Sequence, residues 1–283
     1  MHFNQENINK YWSGLLENNS TPKFFRNLKS LDFKILTDLI DDGREEELKE
    51  IINNMFKGDI YQFTGAIKDE LIQDLFSEAA NLAKNSISKQ TLCEQGVKNF
   101  FYLQKDDQTI KGGYKSIDRS YYFFPWNKTQ KKIFEKINPI WSYIKILGGQ
   151  NKNQFNENLP LDGIINRVHV IQYIKGGGTI SPHNDPYDYQ KIQIGCVLNN
   201  YGSDFSSGGF SVFNKEKEKV LLEPEIKKGS LVCFFPSLIH TVEPIDLHED
   251  IDYETNKGRW YLSLTSVGSA HLKNRKKAMA ENV

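Results

Sequence analysis

His183 and Asp185 stand two residues apart in Ser181-Pro182-His183-Asn184-Asp185-Pro186. A second imidazole, His240, follows the apolar run from Leu231 to Leu238, where the chain turns at Pro236. In an extended backbone successive side chains point to opposite sides, so His183 and Asp185 share a side and can reach one ion, while Asn184 points away. Two imidazoles and one carboxylate fill one face of an octahedron and leave three positions open, an arrangement suited to Fe(II) and oxygen chemistry. Open positions imply a co-substrate and dioxygen. A lone His-x-Asp pair recurs by chance, so the weight rests on His183, Asp185, His240 and a later arginine, Arg259, occurring together and in order. Asp188 lies in a turn beyond the pair and His248 in an acidic insert, and neither is taken as a ligand.

The elements that must hold these residues change character midway. Leu, Ile, Phe and Met recur at helical spacing over Ser30 to Ile40, Glu45 to Met55 and Asp69 to Ala83, punctuated by Gly43 and Gly58, and a further helix is expected from Thr129 to Ile146. The aromatic-rich stretch Tyr114 to Trp126 and a loop from Gly148 to Pro160 complete this half. From Ile164 onward short β-branched and aromatic runs alternate with Gly, Pro and Asn turns: Asn166–Ile174, Lys191–Leu198, Gly209–Phe213, Lys219–Leu222, Ser230–Phe235 and Arg259–Ser266. Alternation puts Arg167, His169, Ile171 and Tyr173 on one face of the first of these strands, and Arg259, Tyr261, Ser263 and Thr265 on one face of the last. Opposite them lie Val168 and Val170, and Trp260, Leu262 and Leu264. If those apolar rows meet the helices, the polar rows line a barrel interior, where a small polar ligand would bind. The expected fold is a mainly β jelly-roll core over 161–270, buttressed by a mainly helical region over 1–160. A basic tail at 271–283 is read as a solvated end.

Composition narrows the partners. In 283 residues the 36 Lys and Arg balance 36 Asp and Glu, so no positive field draws nucleic acid or an anionic membrane. Met1 to Lys10 is polar, and no later apolar run approaches the roughly 20 residues that span a bilayer. Cys93, Cys196 and Cys233 are far apart, with no Cys-x-x-Cys pair, and Cys196 and Cys233 sit in apolar runs as small hydrophobes. A cytoplasmic protein acting on a small molecule is the expectation.

Ile164 to Ser269 resembles the Fe(II)- and 2-oxoglutarate-dependent oxygenase superfamily, with its double-stranded β-helix core. Tyr173-Ile174-Lys175-Gly176-Gly177 is similar to the Tyr-x-x-Gly-Gly lead-in of the prolyl-hydroxylase-like branch, with one extra residue before the histidine. Gly229 to Pro244 resembles that branch's second metal-histidine segment, and Gly258-Arg259-Trp260-Tyr261-Leu262-Ser263-Leu264 resembles its terminal strand. The resemblance implies Fe(II) on His183, Asp185 and His240, with 2-oxoglutarate and O2 as co-substrates and ascorbate as a stimulant. Arg259 would grip the far carboxylate of 2-oxoglutarate, since a planar guanidinium matches a carboxylate with two parallel hydrogen bonds. Tyr261 stands where many relatives carry a serine, leaving Ser263 or Tyr173 to supply that hydroxyl. Relatives that halogenate have a small residue at the position of Asp185, so its carboxylate favours hydroxylation or a related hydrogen abstraction. The nineteen positions between His240 and Arg259 exceed the family's interval, and the acidic insert Asp246 to Asn256 accounts for the excess.

His169 is an even choice between a substrate contact and a buried histidine satisfied by the backbone. Arg167 and Arg119 are candidates for a substrate carboxylate, against arginines paired with surface acids. Tyr121 and its aromatic neighbours read as core or as pocket wall. The expected function is dioxygenase hydroxylation of an unactivated carbon in a small molecule such as an amino acid or derivative. A peptidyl or prolyl hydroxylase, which would need an open groove, and a metal- or ligand-binding barrel without turnover are the other readings.

Overall fold

A computed structural model describes residues 5–105, 112–127 and 131–283. The first half runs α1 (Gln5–Asn18), β1 (Leu28–Asp32), α2 (Phe33–Asp41), α3 (Glu45–Phe56), β2 (Ile60–Thr64), α4 (Asp69–Asn85), β3 (Phe100–Gln104), β4 (Ser116–Phe123) and α5 (Lys131–Leu147). The second runs β5 (Ile164–Ile174), β6 (Thr179–Asn184), β7 (Gln193–Val197), β8 (Gly209–Phe213), β9 (Lys219–Leu221), β10 (Leu231–Phe234), β11 (His240–Glu243), β12 (Gly258–Gly268) and β13 (Met279–Ala280). The helix expected from Thr129 begins outside the described residues. The region read as mainly helical also supplies four strands. The run expected as a helix from Ser30 starts instead in β1, and the Asp32 carboxylate accepts the Lys34 N–H at 2.8 Å to cap α2.

The eight strands β5 to β12 divide between two antiparallel layers. One is ordered β5-β12-β7-β10 and the other β6-β11-β8-β9, the pairing of a double-stranded β-helix. The N-terminal strands extend it: β2 and β1 continue the first layer beyond β10, and β4 and β3 continue it beyond β5. β4 also joins the layers, with Ser116 and Ile117 paired to β6 and Arg119 to Phe123 paired to β5. The crossing from β5 to β6 is made by Gly176, Gly177 and Gly178. The Gly176 and Gly177 N–H groups both donate to Ile245 O at 2.9 Å, and a methyl on Gly178 would lie 2.1 Å from Ile174 N. Only glycine fits that fold-back.

The outward face of the first layer is apolar and meets the helices. Val168, Val170, Leu262, Leu264, Ile194, Cys196, Leu231 and Cys233 form one core with Ile8 and Trp12 of α1, Ile52 of α3, Leu75 of α4 and Trp141 of α5. Trp12 is fully buried, stacks on Phe235 at 5.8 Å and donates its indole N–H to Leu147 O at 2.9 Å, tying α1 to α5 and the sheet. The inward rows of β5 and β12 therefore face the barrel interior, with Tyr173 opposite Arg259, His169 opposite Ser263 and Arg167 opposite Thr265.

Two surface segments are tied to the core by specific contacts. The exposed tail is tethered: Met279 and Ala280 pair with Asn184 and His183 of β6, and the Asn184 side chain donates to Glu281 Oε1 at 2.6 Å. The insert is bolted at the Ile174 and Gly258 end of β5 and β12. Gln172 donates to Thr255 O and Lys257 O at 2.9 and 3.0 Å, Trp260 Nε1 donates to Asn256 O at 2.9 Å, and Asp246 accepts from Ser206 and Ser207. No helix among the described residues is long and apolar enough to cross a membrane.

Candidate metal centre

β6 and β11 place their histidines directly opposite each other, His183 against His240. Asp185 follows β6, its N–H donating to Pro236 O at 2.9 Å. The ligand atoms of His183, Asp185 and His240 lie within 4.8 Å of one another, with His240 Nε2 3.5 Å from Asp185 Oδ2. An ion with bonds of about 2.1 Å at right angles separates its ligands by about 3 Å, so a small closure completes the site. Each imidazole is held by a carbonyl two residues back. His183 Nδ1 is 2.9 Å from Ser181 O, and His240 Nδ1 is 2.9 Å from Leu238 O. Those bonds place the ring proton on Nδ1 and turn the Nε2 lone pairs toward the centre. Burial, with His183 adding to it and Asp185 opposing, pushes the His240 imidazole down to about 4. It is neutral, the form in which histidine binds metal.

Arg259 lies in the same interior, 1% exposed between the rings of Tyr173 and Tyr261, whose centroids are 5.6 and 4.8 Å from its guanidinium carbon. Its Nε–H donates to Glu223 Oε2 at 2.8 Å, and that oxygen also accepts the Phe210 N–H at 2.6 Å. A buried guanidinium needs such a counter-charge. Nη1 is buried with no hydrogen-bond partner among the described residues, an orphaned donor. A second carboxylate is what that fork can still take, so the chemistry of these residues fits 2-oxoglutarate. Tyr261 reaches its place because residue 195 is glycine: a methyl there would lie 1.4 Å from the Tyr261 hydroxyl oxygen. Gly195→Ala is expected to expel that ring and cost about 1–3 kcal/mol of stability in denaturant unfolding. An unchanged midpoint would contradict this packing.

No family model matches the sequence, and no curated protein matches it significantly. Solved structures do match. A full-length thymine hydroxylase of Neurospora crassa in complex with alpha-KG aligns at a TM-score of 0.51 and 14% identity, covering 86% of this chain and 85% of that one. A prolyl hydroxylase from Trichoplax adhaerens, in complex with a hypoxia inducible factor oxygen degradation domain peptide fragment, aligns at 0.50 and 14%, covering 80% of this chain and 91% of that one. This chain has the 2-oxoglutarate oxygenase fold. Within that fold, His183, Asp185 and His240 stand on and beside β6 and β11, and Arg259 opens β12.

Other residues singled out in the sequence divide by face. Tyr173, Tyr261, Ser263, His169 and Arg167 share the oxygenase barrel's interior with Arg259. Arg119 and Tyr121 do not. β4 is phased so that Asp118, Ser120 and Tyr122 face inward, which turns the odd-numbered residues toward the helices. Arg119 donates to Gln172 Oε1 at 3.1 Å and to Tyr253 O, clamping the insert, and Tyr121 stacks on Phe101 and Trp260. Asp188 and His248 are not part of the ligand cluster. Three inward residues escaped the sequence reading: Glu223, Tyr114, which stacks on His183 at 5.1 Å, and Asp118, which accepts from Ser116 and Ser120. The polar-aromatic alternation Asp118, Ser120, Tyr122 carried a signal for the last of these. Glu223 left none, because its partner lies on another strand.

Proposed function

We propose that the chain is an Fe(II)- and 2-oxoglutarate-dependent dioxygenase that hydroxylates an unactivated carbon of a small molecule, an amino acid or a derivative of one. The observation that carries this reading is the combination of three ligand atoms within 4.8 Å and, in the same interior, a buried guanidinium with an unpartnered Nη1. When bound, Fe(II) would supply dioxygen activation, with 2-oxoglutarate oxidised to succinate and CO2 and one oxygen atom delivered to the substrate carbon.

The chain's own residues bind, orient and exclude water. His183 and His240 offer Nε2 atoms already aimed by their carbonyl partners, and Asp185 adds the third ligand and a negative charge. Arg259 grips the far carboxylate of 2-oxoglutarate, with Tyr261 or Ser263 adding a hydroxyl. Tyr173 and Tyr261 keep water from the guanidinium, and a pair formed out of water is stronger. Tyr114 stacked on His183, and Tyr122 stacked on His169 within the same interior, favour a small substrate. The Trichoplax neighbour was solved with a peptide fragment, so short peptides belong among the compounds tested.

Anaerobic calorimetry tests the reading. Wild type is expected to bind Fe(II), and to bind 2-oxoglutarate tightly only when metal is present, while His240→Ala loses both. Metal-independent binding of 2-oxoglutarate, or none, would refute it.

A further inference from the structure

The barrel interior carries a second cation that no carboxylate among the described residues neutralises. Arg167 stands on the inward face of β5, opposite Thr265, and is half-buried. Its Nε–H donates to Thr265 Oγ1 at 3.0 Å, and its guanidinium carbon lies 5.1 Å from the Tyr122 ring centroid. Among the described residues no ion pair and no further hydrogen bond engages its terminal nitrogens. Arg259, by contrast, has Glu223. One barrel thus holds two arginines, one paired in advance and one not.

The neighbour of Arg167 on the same face is His169, about 6.6 Å further along the strand. The His169 ring stacks on Tyr122 at 4.3 Å, and its Nε2 lies 2.9 Å from Ser120 Oγ. The Ser120 hydroxyl donates to Asp118 Oδ1 at 2.5 Å, so its lone pair receives the His169 N–H and the Nδ1 of that ring is left as an acceptor. Burial and the adjacent Arg167 keep the imidazole neutral. On the metal side, the Tyr114 ring stacks on His183 at 5.1 Å. A donor fork and a neutral acceptor therefore stand side by side on one inward face of β5.

We propose that Arg167 is a substrate-binding residue that selects molecules bearing a free carboxylate, with His169 Nδ1 accepting an N–H or O–H from the same molecule. The proposal rests on the oxygenase reading and adds to it the class of substrate. A guanidinium with open terminal nitrogens, fixed by Thr265 and backed by the Tyr122 ring, is prepared for a bidentate partner. An amide or ester in its place would leave the cation unpaired.

The test uses the Fe(II)- and 2-oxoglutarate-loaded protein without oxygen, titrated calorimetrically with free L-amino acids, their N-acetyl derivatives and the matching C-terminal amides. Metal and 2-oxoglutarate binding are measured first on the same samples, and their absence in wild type would strike at the oxygenase reading rather than at Arg167. With both bound, the tightest carboxylates are expected to exceed their amides by about tenfold or more. That preference is expected to vanish in Arg167→Gln and to return in part in Arg167→Lys. Metal binding by the Gln variant is the folding control. Equal binding of amides, no binding of any carboxylate, or an undiminished preference in Arg167→Gln would overturn the proposal.

Discussion

Asp185→Ala is expected to lower Fe(II) affinity by more than about 100-fold, while the metal-free protein melts within about 2 °C of wild type. The two halves of that result come from different physics. Asp185 sits after β6, outside the apolar clusters, and its carboxylate lies 3.5 Å from His240 Nε2. Removing it leaves no cavity in the core and no unpaired buried ion. In the loaded site it supplies the only negative charge among the three ligands, and that charge cannot be replaced by an imidazole. Calorimetric titration of Fe(II), paired with thermal unfolding of both proteins without metal, checks the two halves separately. Near-native Fe(II) affinity in the variant would mean that the ion is held elsewhere.

Arg259→Met is expected to weaken 2-oxoglutarate binding by about 2–5 kcal/mol and, independently, to destabilise the protein by about 3–5 kcal/mol. The second effect arises because Glu223, 1% exposed, would be left as a buried carboxylate with only the Phe210 N–H beside it. Glu223→Gln in the same chain removes that charge, so the double variant is expected to recover most of the stability and none of the affinity. Denaturant unfolding reads the first quantity and calorimetry with metal present reads the second. If the double variant also regained 2-oxoglutarate binding, Arg259 would not be the anchor.

β5 and β12 could be read from sequence because one face of each is buried against helices, which writes a period of two into them. The convergence of His183 and Asp185 was legible for the same reason, since covalent spacing alone puts them on one side. β1 and β2 were not, being five residues each and paired only through partners far along the chain. The run Tyr121-Tyr122-Phe123-Phe124 has no polar alternation of its own, so its phase is legible only from Asp118 and Ser120 before it. A one-residue phase on β4 sends Arg119 to the insert and Ser120 to His169. Glu223 and the pairing of β13 with β6 depend on tertiary contacts that no local pattern records.

The most direct measurement is succinate release under air with Fe(II), 2-oxoglutarate and ascorbate, comparing wild type with Asp185→Ala across amino acids, their derivatives and short peptides. The account predicts succinate from wild type, raised by a small carboxylate-bearing compound, and none above background from the variant. No succinate from a wild-type protein that binds both metal and 2-oxoglutarate, or equal release from the variant, would contradict it and leave a ligand-binding barrel without turnover.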